Sequence, residues 1–125
     1  MARYEITVET GFAAAHNLRT YKGSCESLHG HNYKVEITIG CDALDKDGMV
    51  YDFKDLKRIT KEIADRFDHL YVNEVAPFTE WNPTAELLSR YFYDEVHKRV
   101  SDQRVKVTLV KVWETDIYSA TYRPE

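Results

Sequence analysis

The chain has 125 residues, enough for one domain around a single hydrophobic core. Hydrophobic residues make up 43% of it and aromatic residues 13%, a content that argues against a disordered protein. The formal net charge is -4 and the basic residues are scattered, which argues against a nucleic-acid-binding protein, and no apolar run is long enough to span a membrane.

Two further features concern the cellular compartment. The first ten residues, MARYEITVET, have a strand pattern and lack the layout of a signal peptide, so we expect a cytoplasmic protein. The chain has two cysteines, Cys25 and Cys41. In a cytoplasmic protein with its own core, both are expected to be free thiols.

Two alternating segments open the chain and predict an antiparallel pair of strands. Within residues 3–16 the face expected to be buried carries Tyr4, Ile6, Val8, Phe12 and His16. Within residues 29–41 the corresponding face carries His29, His31, Tyr33, Val35, Ile37, Ile39 and Cys41. The connection between them contains Lys22-Gly23-Ser24, which can close the pair.

Two helices are predicted in the middle of the chain. The first is capped by Asp52, and its apolar stripe consists of Leu56, Ile59, Ile63, Phe67 and Leu70. A long loop, residues 71–82, follows. Asn82-Pro83 has the pattern of an N-cap followed by a first-turn proline. The second helix carries an apolar set made of Leu87, Leu88, Tyr91, Phe92, Val96 and Val100.

The last part of the chain returns to strand patterns. The segment 105–113 alternates but slips near 109–111, which indicates either a bulge or burial on both faces. DIYSATYR predicts a final strand. The order ββααββ therefore predicts an α+β fold, an antiparallel sheet with both helices on one face, formed by a single domain over residues 1–125.

Three histidines fall in phase on the first two predicted strands. His29 and His31 are two residues apart, so on a strand their side chains point the same way, and His16 ends the partner strand on the same face. Three neutral imidazoles and an open fourth position are typical of catalytic zinc. A single histidine at a strand end is more commonly a core or rim residue, but three sharing one face favour a metal. Cys41 lies ten residues beyond His31 and is interpreted as a small buried apolar residue.

Cys25 and Glu26 precede the His29-x-His31 pair. Cys25 fits three interpretations: a fourth zinc ligand closing a structural site, a thiolate base beside the metal, or an exposed loop cysteine without a role. A nearby dication would lower the pKa of the thiol in the second case. Taken by itself, Glu26 is most simply a solvated loop carboxylate.

Asp68-His69 and Glu114 complete the set of candidate residues. His69 ends the first predicted helical segment, where simple charge complementarity with the helix dipole explains a histidine as well as an acid–base role does. Glu114 is in phase with Val110 and Val112 at a strand end. It is either exposed at the rim or placed to accept two hydrogen bonds from an N–H/NH2 edge of a ligand.

Six motifs in order resemble those of the 6-pyruvoyltetrahydropterin synthase / 6-carboxytetrahydropterin synthase family. They are FAAAHNL (12–18), CESLHGHNYKVEI (25–37), GMVYDFKDLK (48–57), FDHLYVN (67–73), NPTAELLSRYFYDEV (82–96) and VKVWET (110–115). The resemblance implies the tunnelling fold, ββααββ. It also implies that trimers form barrels, that two trimers stack into a homohexamer, and that active sites lie between subunits.

The resemblance also implies roles for single residues. Zn2+ would be bound by His16, His29 and His31, and the side-chain hydroxyls of a dihydropterin triphosphate would take the open position. Cys25 matches the proton-abstracting cysteine, and Asp68 with His69 matches its partner pair. Glu114 matches the residue that anchors the pterin ring, with Thr84 and Thr115 near the same pocket.

The spacing around Cys25 bears on the reaction. Three residues, Glu26 to Leu28, lie between Cys25 and His29. This spacer resembles that of the bacterial 6-carboxytetrahydropterin synthases of the queuosine pathway, which are lyases that release acetaldehyde and triphosphate. Glu26 occupies the position of a glutamate used by another branch, which makes 6-hydroxymethyl-7,8-dihydropterin for folate. The sequence therefore resembles a subgroup with both motifs.

Three alternatives stay open from the sequence. The first is 6-pyruvoyltetrahydropterin synthase activity. The second is a non-catalytic pterin-binding zinc module in which Cys25 closes the metal site. The third is a three-histidine hydratase or hydrolase on another fold, which leaves Glu114 and the two helices without a role.

Overall fold

The computed structural model describes residues 3–19 and 27–125. Its strands are β1 (Tyr4–His16), β2 (His29–Cys41), β3 (Leu70–Tyr71), β4 (Lys106–Trp113) and β5 (Ser119–Tyr122), and its α-helices are α1 (Phe53–Ala64) and α2 (Ala85–Val100). A short 3-10 helix, Val72–Glu74, follows β3. None of the helices in these described ranges is long and apolar enough to cross a membrane.

The strands form one five-stranded sheet in the order β3-β1-β2-β4-β5. β1, β2, β4 and β5 are antiparallel neighbours, whereas the two-residue β3 pairs parallel with β1 at one edge. The register of β1 and β2 runs from Tyr4 opposite Cys41 to His16 opposite His29. The α+β architecture predicted from the sequence is confirmed.

Both helices cover the apolar face of the sheet. α1 packs mainly on β1, and α2 packs on β4 and β5. Because side chains alternate along a strand, one face of β2 is buried almost completely, and Cys41 is 2% exposed within it. Cys41 is therefore a buried apolar residue, as predicted.

The start of α1 follows the prediction, but its apolar stripe is shorter. The Asp52 side chain caps the helix by accepting a hydrogen bond from the Lys54 N–H at 2.7 Å. Leu56, Ile59 and Ile63 are buried, but Leu70 is 49% exposed. Including Leu70 in the stripe was wrong, because α1 ends at Ala64 and Leu70 belongs to the edge strand β3.

The N-cap of α2 is Thr84 rather than Asn82. The Thr84 hydroxyl accepts from the Leu87 N–H at 3.1 Å. Asn82 is occupied elsewhere, since its side-chain oxygen accepts from the Arg19 N–H and its carbonyl accepts from the Thr84 N–H. The helix consequently begins two residues later than the Asn-Pro pattern predicts.

The predicted irregularity in the fourth strand is a β-bulge. Thr38 lies opposite Leu109 while the next residue of β2, Ile39, lies opposite Val107, so Thr108 is the extra residue of β4. The bulge lets Val107 and Val110, three residues apart, both enter the core.

Candidate active site

Three histidine side chains meet where β1 ends and β2 begins. His16 lies directly opposite His29 in the register, and His31 lies opposite Ala14. Their ring centroids are 4.6 Å (His16–His29), 5.1 Å (His16–His31) and 4.7 Å (His29–His31) apart. The convergence that strand phase predicted is present, and we call these three residues the histidine cluster.

Two backbone carbonyls determine how His16 and His29 are oriented. The Nδ1 atom of His16 lies 2.8 Å from the Pro83 oxygen, and the Nδ1 atom of His29 lies 2.7 Å from the Ser27 oxygen. A carbonyl oxygen only accepts, so both Nδ1 atoms carry the proton and donate it. In the neutral rings the lone pairs are then on Nε2, and the two Nε2 atoms are 3.0 Å apart.

The cluster has the properties expected of a metal site. Two facing lone pairs at that distance repel unless a cation or a proton lies between them. The Nε2 atom of His31 is buried and has no hydrogen-bond partner among the described residues. One ligand atom from each of the three side chains lies within 4.8 Å of the others. Three imidazoles suit zinc, copper, iron or nickel, so the residues fit a bound transition metal.

The surroundings of the cluster keep two of its histidines, His16 and His31, neutral. Burial is the largest effect and lowers the pKa of His16 to about 4, with His29 and His31 adding to it and the Pro83 hydrogen bond opposing it. Burial, and then His29, also lower the pKa of His31. Neutral imidazole is the form that binds a metal, so near pH 7 both rings are ready to act as ligands.

Glu114 lies beside the cluster just after β4. Its carboxylate oxygens are 3.9 Å from His16 Nε2 and 4.0 Å from His31 Nε2. Burial raises the pKa of Glu114, His29 opposes this shift, and the nearby Glu86 adds to it. Glu114 is thus close to two of the histidines and is only partly exposed to water.

Glu114 and Thr84 line a pocket of about 320 Å³. Glu86, in the first turn of α2, lines the same pocket, although sequence analysis did not single it out. Its only sequence signal was an acidic residue near a helix N-terminus, which is usually explained by the helix dipole. Thr115 is not among the residues that line this pocket. Its hydroxyl instead accepts from the Ile117 and Tyr118 N–H groups, both at 3.2 Å.

Tyr33 is a second residue that sequence analysis did not assign to the site. Its ring lies edge-on to those of His16 and His31, with centroids 5.7 and 5.4 Å away. Its hydroxyl is buried without a hydrogen-bond partner among the described residues. Burial, and then Glu114, raise its pKa, so the phenol is neutral. Its position in phase with His29 and His31 was the available signal.

Asp68 and His69 are fixed to β1, and within the described chain no hydrogen bond, ion pair or ring contact joins them to the histidine cluster. The Ala13 N–H donates to Asp68 Oδ1 at 2.9 Å, and the His69 N–H donates to the Ala13 oxygen at 2.6 Å. His69 has a φ of 62°, uncommon outside glycine, and its side chain is 82% exposed with Nδ1 3.1 Å from Asp68 Oδ2. The Ala13 hydrogen bond, more than His69, lowers the pKa of Asp68.

A groove of about 540 Å³ beside His69 lies mainly on the other face of the sheet. It is lined by Ala13, Ala15 and Asn32, whose side chains alternate with those of the histidine cluster, and also by the cluster residue His31. Cys25 and Glu26, the other two candidate catalytic residues, fall within 20–26, outside the described residues.

Comparison with known proteins identifies the family. A family model described as 6-pyruvoyl tetrahydropterin synthase matches residues 5–125. The chain belongs to this family. Members similar to it include the 6-carboxy-5,6,7,8-tetrahydropterin synthase of Aquifex aeolicus, which is 34% identical in an alignment that covers 81% of this chain and 76% of the relative. The protein of the same name from Bacillus subtilis is 31% identical and covers 98% of this chain and 86% of its own.

Solved structures of the family confirm the tunnelling fold. The Caenorhabditis elegans 6-pyruvoyl tetrahydropterin synthase superposes with a TM-score of 0.86 at 25% identity, covering 100% of this chain and 98% of the other. The Plasmodium vivax 6-pyruvoyltetrahydropterin synthase superposes with a TM-score of 0.78 at 22% identity, covering 100% of this chain and 99% of the other, and bears on the fold alone.

Proposed function

We propose that this protein is a zinc-dependent lyase acting on 7,8-dihydroneopterin triphosphate. With uptake of water it forms 6-carboxy-5,6,7,8-tetrahydropterin, acetaldehyde and triphosphate, a reaction of queuosine and 7-deazapurine biosynthesis. The support from known proteins is the name shared by the relatives from Aquifex aeolicus and Bacillus subtilis. The structural observation that carries the proposal is the histidine cluster, with its facing Nε2 atoms and the unpartnered His31 Nε2.

The histidine cluster would hold the zinc ion. His16 and His29 would bind it through Nε2, because their Nδ1 atoms donate to Pro83 and Ser27, and His31 would bind it through its buried Nε2. When bound, zinc supplies a Lewis acid that makes the C–H and O–H groups of the substrate side chain more acidic. The Pro83 and Ser27 carbonyls orient the His16 and His29 rings.

Glu114 is proposed to anchor the pterin ring. As a carboxylate it accepts two parallel hydrogen bonds from an N–H/NH2 edge, and partial burial strengthens them. The two oxygens of Glu114 lie about 4 Å from the Nε2 atoms of two cluster histidines. A pterin ring bound to Glu114 would therefore have its edge, and the substrate side chain, close to the metal. Thr84 lines the same pocket, and we propose it as a further substrate contact, with Thr115 next to Glu114 in sequence.

Proton transfer is assigned to Cys25 and to the pair Asp68 and His69. The resemblance gives Cys25 the role of base. His69 can carry protons because Asp68 receives its Nδ1–H and leaves Nε2 available in the neutral ring. A general acid–base step of this kind contributes roughly 10²–10⁴-fold to the rate.

Glu26 provides for a second reaction of the same substrate. If it acts as the base in place of Cys25, the product becomes 6-hydroxymethyl-7,8-dihydropterin, a folate precursor. Both products are proposed, with the carboxy product as the main one. The further proposals are a single domain over residues 1–125, a cytoplasmic location, and a homohexamer built as a dimer of trimers with active sites between subunits.

Mass spectrometry of the products tests the proposal. The zinc-loaded wild type is incubated with 7,8-dihydroneopterin triphosphate beside the variants Cys25→Ala and Glu26→Ala. Wild type should give the carboxy product, Cys25→Ala should lose it, and Glu26→Ala should keep it while losing any hydroxymethyl product. Full turnover by Cys25→Ala to every product would contradict the assignment. X-ray absorption showing sulfur bound to the resting metal would favour the non-catalytic zinc module.

A further inference from the structure

The chain is held by side chains directly after His16, where β1 ends. The Asn73 amide brackets the backbone of Asn17, since its Oδ1 accepts from the Asn17 N–H at 3.1 Å and its Nδ2 donates to the Asn17 oxygen at 3.0 Å. Tyr71 donates a hydrogen bond to the Asn17 side chain. Asn73 is buried. Its side chain makes the two backbone hydrogen bonds with Asn17 that a neighbouring strand would make if β1 continued by one residue.

Arg19 extends this attachment to the loop 72–83. Its guanidinium group donates to three backbone oxygens from separate parts of that loop, those of Asn73 at 3.1 Å, Phe78 at 2.5 Å and Trp81 at 2.8 Å. Its own N–H donates to Asn82 Oδ1 at 3.0 Å. The planar guanidinium fork can satisfy several fixed acceptors at once, which a lysine cannot do.

The same loop ends at the residue that orients His16. Pro83 follows Asn82 directly, and its oxygen accepts the Nδ1–H of His16 at 2.8 Å. Arg19 therefore contacts the two residues before Pro83, one through its guanidinium group and one through its backbone. The position of the Pro83 oxygen depends on a loop whose described attachments include these four hydrogen bonds.

We propose that Arg19 is a positioning residue of the histidine cluster. It holds the loop 72–83 so that the Pro83 carbonyl keeps the His16 ring with Nε2 directed at His29. The part of this inference that concerns zinc rests on the proposed function. The part that concerns the orientation of His16 stands on the hydrogen bonds alone.

Arg104 offers a matched control at the opposite end of β2. Its guanidinium group also donates to three loop carbonyls, those of Ala43 at 3.1 Å, Met49 at 3.4 Å and Val50 at 2.9 Å. It lies 3.5 Å from the sulfur of Cys41, the last residue of β2, whereas His29 is the first. Loss of Arg104 should loosen a loop in the same way without reaching the histidines.

The test compares Arg19→Met with Arg104→Met. Methionine keeps an apolar stem and removes every side-chain donor, while the backbone N–H of residue 19 remains. Zinc affinity is measured by competition with a chelator, well below the unfolding temperature of each variant. Arg19→Met should weaken zinc binding about tenfold, at the low end of the effect of partners that orient metal ligands. Arg104→Met should lower the unfolding temperature but keep the wild-type zinc affinity. Equal zinc affinities in the two variants would overturn the inference.

Two additions keep the result interpretable. Arg19→Lys retains the charge and serves as the second variant if Arg19→Met folds poorly. Its zinc affinity should fall between those of wild type and Arg19→Met. Wild-type zinc affinity in both Arg19 variants would overturn the inference. In the metal-free protein, the His16 Nδ1–H NMR signal should exchange slowly in wild type and Arg104→Met and rapidly in Arg19→Met. If wild type binds no zinc, the proposed function fails, and this NMR comparison still supports or overturns the positioning role.

Discussion

Two backbone carbonyl groups, those of Pro83 and Ser27, determine which nitrogen atoms of His16 and His29 face the centre of the cluster. Because a carbonyl fixes the proton on Nδ1, the lone pair of each neutral ring is left on Nε2, where a metal can use it. His31 contributes a buried nitrogen without a partner among the described residues. The metal-binding capacity of this site thus follows from tautomers as well as from proximity.

Asp68 is expected to make stability depend on pH in the acid range. Its folded-state pKa is lowered, so its charged form stabilises the native state above the unfolded-state pKa, and that contribution is lost as the pH falls through the folded-state value. Asp68→Asn keeps an oxygen for the Ala13 N–H but removes the charge. Urea unfolding should show wild type more stable than the variant at pH 6, with a smaller difference at pH 3. The same difference at both pH values would contradict this prediction.

The residues of the site differ in how far the sequence could identify them. His16, His29 and His31 could be predicted because alternation along two strands fixes their common face, and the hairpin brings their ends together. Glu86 could not, because its approach to Glu114 depends on how α2 packs on the sheet. Asn82 was mistaken for an N-cap because its bond to Arg19, distant in sequence, is absent from any local pattern.

Elements depend on close backbone contacts as well as on side chains, and Gly11 in β1 is the clearest case. A Cβ atom added there would lie 2.9 Å from the Tyr33 oxygen, a contact that requires the backbone to shift. Gly11→Ala should therefore lower the free energy of unfolding by about 1–3 kcal/mol, the usual cost of overpacking.

Gly30 is the matched control for this prediction. It lies on the neighbouring strand β2, where an added Cβ would be 3.6 Å from the Ala14 oxygen, an ordinary contact. Gly30→Ala should keep or slightly raise stability, because alanine has less conformational freedom to lose in a strand. Chemical denaturation of both variants checks the pair, and equal stabilities would argue against the tight packing of β1 on β2.

At the same scale, the sequence predicted β1, β2, β4, β5 and both α-helices, but not β3 or the short 3-10 helix. Residues in β1 and β2, thirteen residues each, alternate along most of their length, and the buried positions of α1 repeat at three and four residues. The two residues of β3 carry no period of their own, since their strand conformation comes from pairing with β1. The bulge was detectable as a slip in alternation, but placing it at Thr108 required the register with β2.

At the scale of the whole molecule, no hydrogen bond or ion pair among the described residues joins the histidine cluster to the Asp68 and His69 pair. The His69 side chain is largely exposed and its described polar partner is Asp68, although His69 and His31 both line the groove of about 540 Å³. Under the proposed assembly, with active sites between subunits, we expect this pair to serve a histidine cluster on a neighbouring subunit.

Mixed oligomers test this expectation. His16→Ala and His69→Ala should each be inactive alone, but refolding them together in equal amounts should restore about one quarter of wild-type activity, since half of the clusters and half of the neighbouring His69 residues are intact. Oligomer formation is checked by light scattering. A mixture that forms oligomers and remains inactive would place both groups of residues in one subunit.

The most direct measurement for the account is a zinc titration of the metal-free protein, followed by formation of 6-carboxy-5,6,7,8-tetrahydropterin from 7,8-dihydroneopterin triphosphate. We predict that activity rises to a plateau at one zinc ion per chain, and that His31→Ala remains inactive throughout. His97→Ala, at an exposed ring stacked on Tyr93 in α2, should follow the wild-type curve. Full turnover by the metal-free protein in the presence of a chelator would contradict the account.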